Sequence, residues 1–240
     1  MYLVIMTALG VGGATVLGAF IGLLTRGSVS RYSNYILALS AGVMLGASIF
    51  GLIIPALESN RVSDLSAALL GIFCGALCMD LMEKVSFRLR PAEENYNKVM
   101  LFVTAIAIHN LPEGIAAGVG FGSGNNAGAL MIAGGIALQN IPEGMVIIGP
   151  MLTTGMSARK AFLIALFTGL IEVAGTFIGY SFITFATETL PFSLSFAAGT
   201  MLFITCGEMI PQTCCGEAKK KASYFLLAGF CVMLAFSVLL

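Results

Sequence analysis

The sequence predicts an all-α integral membrane protein of eight transmembrane helices, with an inverted repeat and a kinked central helix pair. Three observations lead there. Hydrophobic residues make up 58% of the 240 and charged ones only 10%, at a mean hydropathy of +0.97, whereas about a quarter of a soluble domain is charged. Eight apolar runs reach the roughly 20 residues that a bilayer core requires. Lysine and arginine also alternate between successive loops, as they do in an oriented helical bundle.

The runs cover 3–25, 34–57, 64–87, 99–121, 127–150, 160–186, 191–212 and 222–240. Their separators are short and polar: "RGSVSRYS", "ESNRVS", "RLRPAEENYNK", "GSGNN", "TTGMSARK", "TET" and "QTCCGEAKKK". The N-terminal "MYLVIMTALG" lacks a signal peptide's basic flank and reads as the start of the first span. No soluble domain or linker interrupts the chain, so residues 1–240 are expected to form one transmembrane domain.

Eleven of the twelve basic residues lie at the first, third, fifth and seventh loops: Arg26 and Arg31; Lys84, Arg88, Arg90 and Lys98; Arg159 and Lys160; Lys219, Lys220 and Lys221. Arg61 alone lies on the other face. Positive loops stay inside, so both termini are expected outside the cytoplasm, with the plasma membrane as location and the lipid bilayer as surroundings. Formal net charge is zero, and no basic, aromatic-interleaved stretch suggests nucleic acid. The six cysteines fall mostly in apolar runs, which argues against a secreted disulfide framework. Glycines recur at four-residue spacing, as at Gly18 and Gly22, Gly114 and Gly118, and Gly175 and Gly179. Such pairs let membrane helices pack closely.

The chemistry lies in mid-membrane, where an ionisable group costs several kcal/mol unless it is compensated. The fourth run carries "HNLPEG", with His109, Asn110 and Glu113 near its centre. At about 100° per residue these three share one helix face, and His109 and Glu113 stand one turn apart. Pro112 cannot donate a backbone hydrogen bond, so the Ile108 carbonyl loses its partner and a kink is expected. Kinked helices at this depth recur at transporter sites. Thirty residues later "QNIPEG" repeats the pattern as Gln139, Asn140, Pro142 and Glu143. The sixth run adds Glu172.

Three carboxylates at one depth repel, and a divalent cation compensates them; a protonated cluster does so as well. An imidazole with carboxylate and amide oxygens suits Zn²⁺, Fe²⁺, Mn²⁺, Co²⁺ or Cd²⁺, and Glu113 and Glu143 are placed to bridge two ions. The metal would be cargo, with no cofactor expected. Three functions follow: a carrier bringing divalent metal inward, a metal-selective channel, and an intramembrane metallohydrolase. The last is disfavoured because no HExxH motif occurs.

On these motifs the sequence resembles the ZIP (Zrt/Irt-like) family of divalent metal transporters. "HNLPEG" and "QNIPEG" are similar to its fourth- and fifth-helix signatures, and Glu172 matches a sixth-helix acidic position. The short form is similar to the bacterial GufA-like branch. The resemblance implies one metal position at His109, Glu113, Gln139 and Glu143. It implies a second at Asn110, Glu113, Asn140, Glu143 and Glu172. It further implies zinc-type uptake by alternating access, a bundle moving against a scaffold, and homodimers. Gln139 departs from the family where histidine is frequent, and "FGLIIPA" around Gly51 lacks a frequent polar residue.

"SAGVMLGASIFGLIIP" in the second run echoes "FAAGTMLFITCGEMIP" in the seventh, travelling the opposite way, as an inverted repeat requires. Glu208 is a candidate for the metal's exit path or an interfacial residue. Asp80 and Glu83 are expected to pair with Lys84 or Arg88. Cys214 and Cys215 read as loop thiols, Cys74 and Cys78 as packing, and Met44 as core.

Overall fold

Unbroken apolar stretches of 20 or more residues leave the backbone one way to satisfy its own hydrogen bonds in hydrocarbon, the helix. The computed structural model describes residues 1–58, 61–88, 96–153, 155–214 and 219–239, which contain helices and no strand. Arg90 and Cys215 lie outside the described residues, as do the side chains of Arg26, Arg88 and Lys98.

Helix α1 is Tyr2–Leu24. Helix α2 runs from Arg26–Gly46 through a π-helical turn, Ala47–Ile53, into Ile54–Ala56. Then come α3 (Val62–Arg88), α4 (Tyr96–Val119), α5 (Asn126–Thr153) and α6 (Ala158–Phe185). Helix α7 runs from Leu190–Ile204 through a π-helical turn, Thr205–Met209, into Ile210–Thr213, and α8 is Lys219–Leu239. Among the described residues seven of these, all but α4, are long and apolar enough to cross a membrane. Helix α4 covers the expected fourth run, and its side chains at 96–103 and 105–106 lie outside the described residues among which the seven are counted.

The short polar separators stop the helices in identifiable ways. Gly124 adopts φ +70°, a left-handed conformation open to glycine, after α4. The Asn125 side-chain oxygen then accepts from the Ala127 and Gly128 amides at 3.0 and 3.3 Å, capping α5. Ser157 accepts from the Lys160 amide at 3.4 Å and caps α6.

The prolines expected to kink α4 and α5 end neither helix. Helices α4 and α5 continue as single α-helices through Pro112, Pro142 and Pro150. One proline deletes one hydrogen bond, and the turns around Pro112 and Pro142 are held by helix crossings at Gly114 and Gly144. The irregular backbone falls in α2 and α7. In each, the π-helical turn lies just ahead of a proline, Pro55 or Pro211. Neither proline can donate to the carbonyl four residues before it, Gly51 or Gly207, and the widened turn takes up that defect.

The helices pack in two groups. In one, α1 lies against α5 and α6, and α6 against α4; in the other, α2 lies against α8 and α3 against α7. Helices α2 with α5, and α4 with α7, join the groups. Between them lies an apolar core that includes Met44, Leu52, Ile132, Ile136, Met201 and Ile204. Leu69, Leu70, Phe73 and Leu77 on α3, and Tyr224 and Leu227 on α8, point outward and are exposed, as helices facing lipid require.

Close crossings depend on glycine. A methyl group on Gly118 would collide with the Thr176 carbonyl and come within 2.6 Å of the Tyr180 nitrogen, whereas one on Gly13 would meet nothing within 4 Å. Gly118→Ala should therefore lower the thermal stability of the detergent-solubilised protein by about 1–3 kcal/mol, the usual cost of overpacking. Gly13→Ala should not lower it; equal losses at both positions would contradict this packing.

Candidate metal site

The final glycine of each motif explains where the motif sits. Gly114 presses on the backbone of Glu172 in α6, and Gly144 presses on the backbone of Thr15 in α1; a side chain at either position would collide. Gly12 and Gly169 meet where α1 crosses α6. Four helices thus approach more closely than side chains ordinarily permit, and the residues preceding those glycines face one another.

All seven residues singled out from the sequence are buried. Asn110, Glu113, Gln139, Asn140 and Glu172 are at most 1% exposed, His109 8% and Glu143 9%. Glu172 sits at the centre of the hydrogen bonding. Its Oε1 accepts from the Asn110 side-chain amide and from the Thr15 hydroxyl at 2.6 Å; its Oε2 accepts from the Asn140 amide at 2.6 Å. Asn140 Nδ2 also reaches the Val11 carbonyl at 3.5 Å, and Gln139 Nε2 donates to Glu113 Oε1 at 2.6 Å. From α2, the Ser40 hydroxyl donates to the Gln139 backbone carbonyl at 3.1 Å.

Once those bonds are made, a set of lone pairs is left over. His109 Nε2, Asn110 Oδ1, Glu113 Oε2, Gln139 Oε1 and Asn140 Oδ1 are buried with no hydrogen-bond partner. Each amide has turned its N–H₂ toward a carboxylate and so presents its oxygen elsewhere. A buried polar atom without a partner costs about 1–3 kcal/mol. Five together approach a typical protein's whole stability of about 5–15 kcal/mol. Orphan donors and acceptors mixed together would suggest missing water or faulty packing. Apart from the imidazole nitrogen all of these are acceptor oxygens, an atom type that divalent cations take as ligands.

A cavity of about 120 Å³ opens beside this set, lined by Met44, His109, Glu113, Glu143, Glu208 and Gln212, among others. Met44 is therefore both core, as expected, and a wall of the cavity. At the α7 side His109 Nε2 lies 3.8 Å from Glu208 Oε2, too long for a hydrogen bond. Glu83 joins them: ligand atoms of Glu83, His109 and Glu208 all lie within 4.8 Å of one another.

The sequence misplaced Glu83. Lys84 pairs with Asp80 at 2.5 Å, as expected for one of the two acids. Glu83 instead turns inward to His109 and Glu208, with one buried carboxylate oxygen unpartnered. Glu83, three residues after Asp80, is that acid's neighbour on the helix surface, and its carboxylate reaches His109 and Glu208 rather than Lys84. Thr15 was missed altogether, although "TVLGAFIG" from Thr15 and "EVAGTFIG" from Glu172 agree at five of eight positions. Cys74, Cys78 and Cys214 are free thiols outside the cluster.

Fold and site together define a multi-pass helical membrane protein with carboxylate, amide and imidazole groups buried at its centre. Comparison with known proteins makes this specific. The family model for the ZIP zinc transporters matches residues 85–237. The chain is 34% identical to zinc transporter GufA of Myxococcus xanthus over 236 residues, covering 93% of each protein. It is 32% identical to zinc transporter ZIPB of Bordetella bronchiseptica over 235 residues, covering 92% of this chain and 76% of that one. It is 31% identical to zinc transporter ZupT of Escherichia coli over 248 residues, covering 95% and 93%. The chain belongs to the ZIP family. Family and relatives are transporters and not enzymes, so the metallohydrolase reading falls away.

Glu172→Gln would put an N–H₂ against the donors that now share a carboxylate. In metal-free protein it should lower thermal stability by about 1–3 kcal/mol, the cost of a buried donor left unpaired. An unchanged melting temperature would show that the three donors do not depend on this acceptor.

Proposed function

We propose that the protein carries divalent metal, zinc foremost, from outside the cell to the cytoplasm by alternating access. The single observation behind this is that the two motifs together leave five buried nitrogen and oxygen atoms without a hydrogen-bond partner. The relatives' description as zinc transporters agrees with it. His109, Glu113, Gln139 and Glu143 form the first metal position. Asn110 and Asn140, through their side-chain oxygens, join Glu113 and Glu143 in a second. Glu172 completes that position through Oε2, which accepts one hydrogen bond and keeps a second lone pair. The donor set is one imidazole nitrogen and otherwise oxygen, which suits Zn²⁺ and admits Cd²⁺, Fe²⁺, Mn²⁺ and Co²⁺.

The protein lies in the plasma membrane with eight spans, α4 included, forming one domain with both termini outside. The basic residues 219–221 then mark the cytoplasmic face. The cavity runs from the centre toward Gln212 on that face, so this conformation faces inward. Glu83, His109 and Glu208 lie along it as the exit path.

An inverted repeat underlies the motion. Its support is a set of matching crossings: Gly18 meets Ile141 as Gly175 meets Leu111, and Gly22 meets Met145 as Gly179 meets Ile115. Gly42 likewise meets Leu226 as Gly199 meets Ile72. The bundle of α1, α4, α5 and α6 moves against a scaffold of α2, α3, α7 and α8, and a homodimer joined through the scaffold is the assembly.

His109→Ala and Glu143→Ala should each abolish Zn²⁺ uptake into proteoliposomes while the protein elutes and melts as a folded species; full uptake by either would remove the assigned site. Wild-type flux should saturate with Zn²⁺ at carrier-like rates, and unitary ion conductances would replace the carrier with a channel. Glu208→Ala should slow uptake without abolishing it, since Glu208 lies beyond the central position; an unchanged rate would take it off the path.

A further inference from the structure

We infer that Thr15, on α1 and outside both motifs, is a positioning residue of the metal site, holding Glu172 so that Asn110 and Asn140 present their oxygens to the ion. The inference rests on the reading of the site given above.

Many buried hydroxyls in this protein bond within their own helix, although Ser40 donates across to the Gln139 carbonyl. Ser48, Thr176, Thr205 and Thr213 each donate to the carbonyl four residues earlier in their own helix. That is the default in a dry interior, because the donor is satisfied locally. Thr15 is 1% exposed and departs from it, donating at 2.6 Å across the helix crossing to Glu172 Oε1. The carbonyl it would otherwise use, that of Val11, accepts from Asn140 Nδ2 at 3.5 Å. Threonine and asparagine therefore interlock, each making the bond that frees the other.

The crossings make this arrangement specific. Gly144 of the fifth-helix motif rests on the Thr15 backbone as Gly114 of the fourth-helix motif rests on the Glu172 backbone. Thr15 thus holds on α1 the place that Glu172 holds on α6. One of the two equivalent places carries a carboxylate and the other a neutral donor. A second carboxylate there would face the first across the Gly12–Gly169 crossing, with no donor between them. The hydroxyl instead supplies the third hydrogen bond to Glu172, fixing a carboxylate whose remaining partners are the two asparagine amides. If Glu172 turned, both amides would be free to rotate and their oxygens would leave the ion. Outer partners that orient metal ligands typically contribute 10–100-fold in affinity or activity.

The test compares Thr15→Val, which keeps the shape and removes the hydroxyl, with Thr15→Ser, which keeps the hydroxyl. Zn²⁺ binding is measured by isothermal titration of the detergent-purified full chain, with the melting temperature of the metal-free protein recorded alongside. Thr15→Val should weaken Zn²⁺ binding about 10–100-fold, and Thr15→Ser should bind as wild type does. Thr15→Ala carries the same expectation and serves if the valine variant does not fold. Wild-type affinity in folded Thr15→Val or Thr15→Ala overturns the inference even if their melting temperature falls, because the role is then packing alone. Equal weakening in Thr15→Ser overturns it too, since the methyl group and not the hydroxyl would matter. No Zn²⁺ binding by wild type would instead remove the site itself, a distinguishable failure that takes the inference with it.

Discussion

A carboxylate carried into a dry helical bundle needs donors, and Glu172 gathers three from three other helices: Thr15 of α1, Asn110 of α4 and Asn140 of α5. The rest of the site follows from that arrangement. Each asparagine has one N–H₂ group and one oxygen, so an amide that gives its nitrogen to Glu172 must offer its oxygen elsewhere. Gln139 does the same with Glu113. The bonds inside the cluster therefore create the lone pairs that are left over, and a site rich in hydrogen bonds is at the same time short of positive charge. In the proposed function a bound cation would complete a network that the protein alone leaves open.

Holding four helices close enough for this falls to glycine. The motif's proline and glycine divide the labour in a way that residue order alone does not reveal. Proline leaves α4 and α5 continuous, while glycine admits the neighbouring backbone at Glu172 and Thr15. Backbone irregularity falls instead in α2 and α7, whose π-helical turns flank the core between the two helix groups. Glu208 lies in one of those turns, so a widened backbone bears the acid nearest His109.

Much of this was legible in the sequence because hydrocarbon tolerates so little. A chain with 10% charged residues has few fold classes open to it, and a mid-span histidine, asparagine or glutamate stands out against leucine. All seven motif and sixth-helix residues are buried; hydrogen bonds join Asn110 and Asn140 to Glu172 and Gln139 to Glu113, and the cavity brings Glu113 together with His109 and Glu143. What escaped notice was chemistry that resembles its background. Thr15 is one of many hydroxyls that ordinarily bond to their own helix, and its likeness to Glu172 shows only when the octets around them are aligned. Glu83 stands among Asp80, Lys84 and Arg88, where an interfacial ion pair is the economical reading; only the packing of α3 beside α4 and α7 turns it inward. The backbone's response to proline depends on what clamps the adjacent turns, and that is tertiary information.

The claim at the centre is that the unpartnered acceptors of the two motifs are the ligands of the transported ion. Zinc K-edge X-ray absorption on the zinc-loaded, detergent-solubilised protein tests it most directly. The account predicts a nitrogen and oxygen shell at about 2.0–2.2 Å with imidazole scattering that is lost in His109→Ala, and no sulfur at about 2.3 Å. A thiolate shell, or imidazole scattering unchanged by that substitution, would place the ion elsewhere and contradict it.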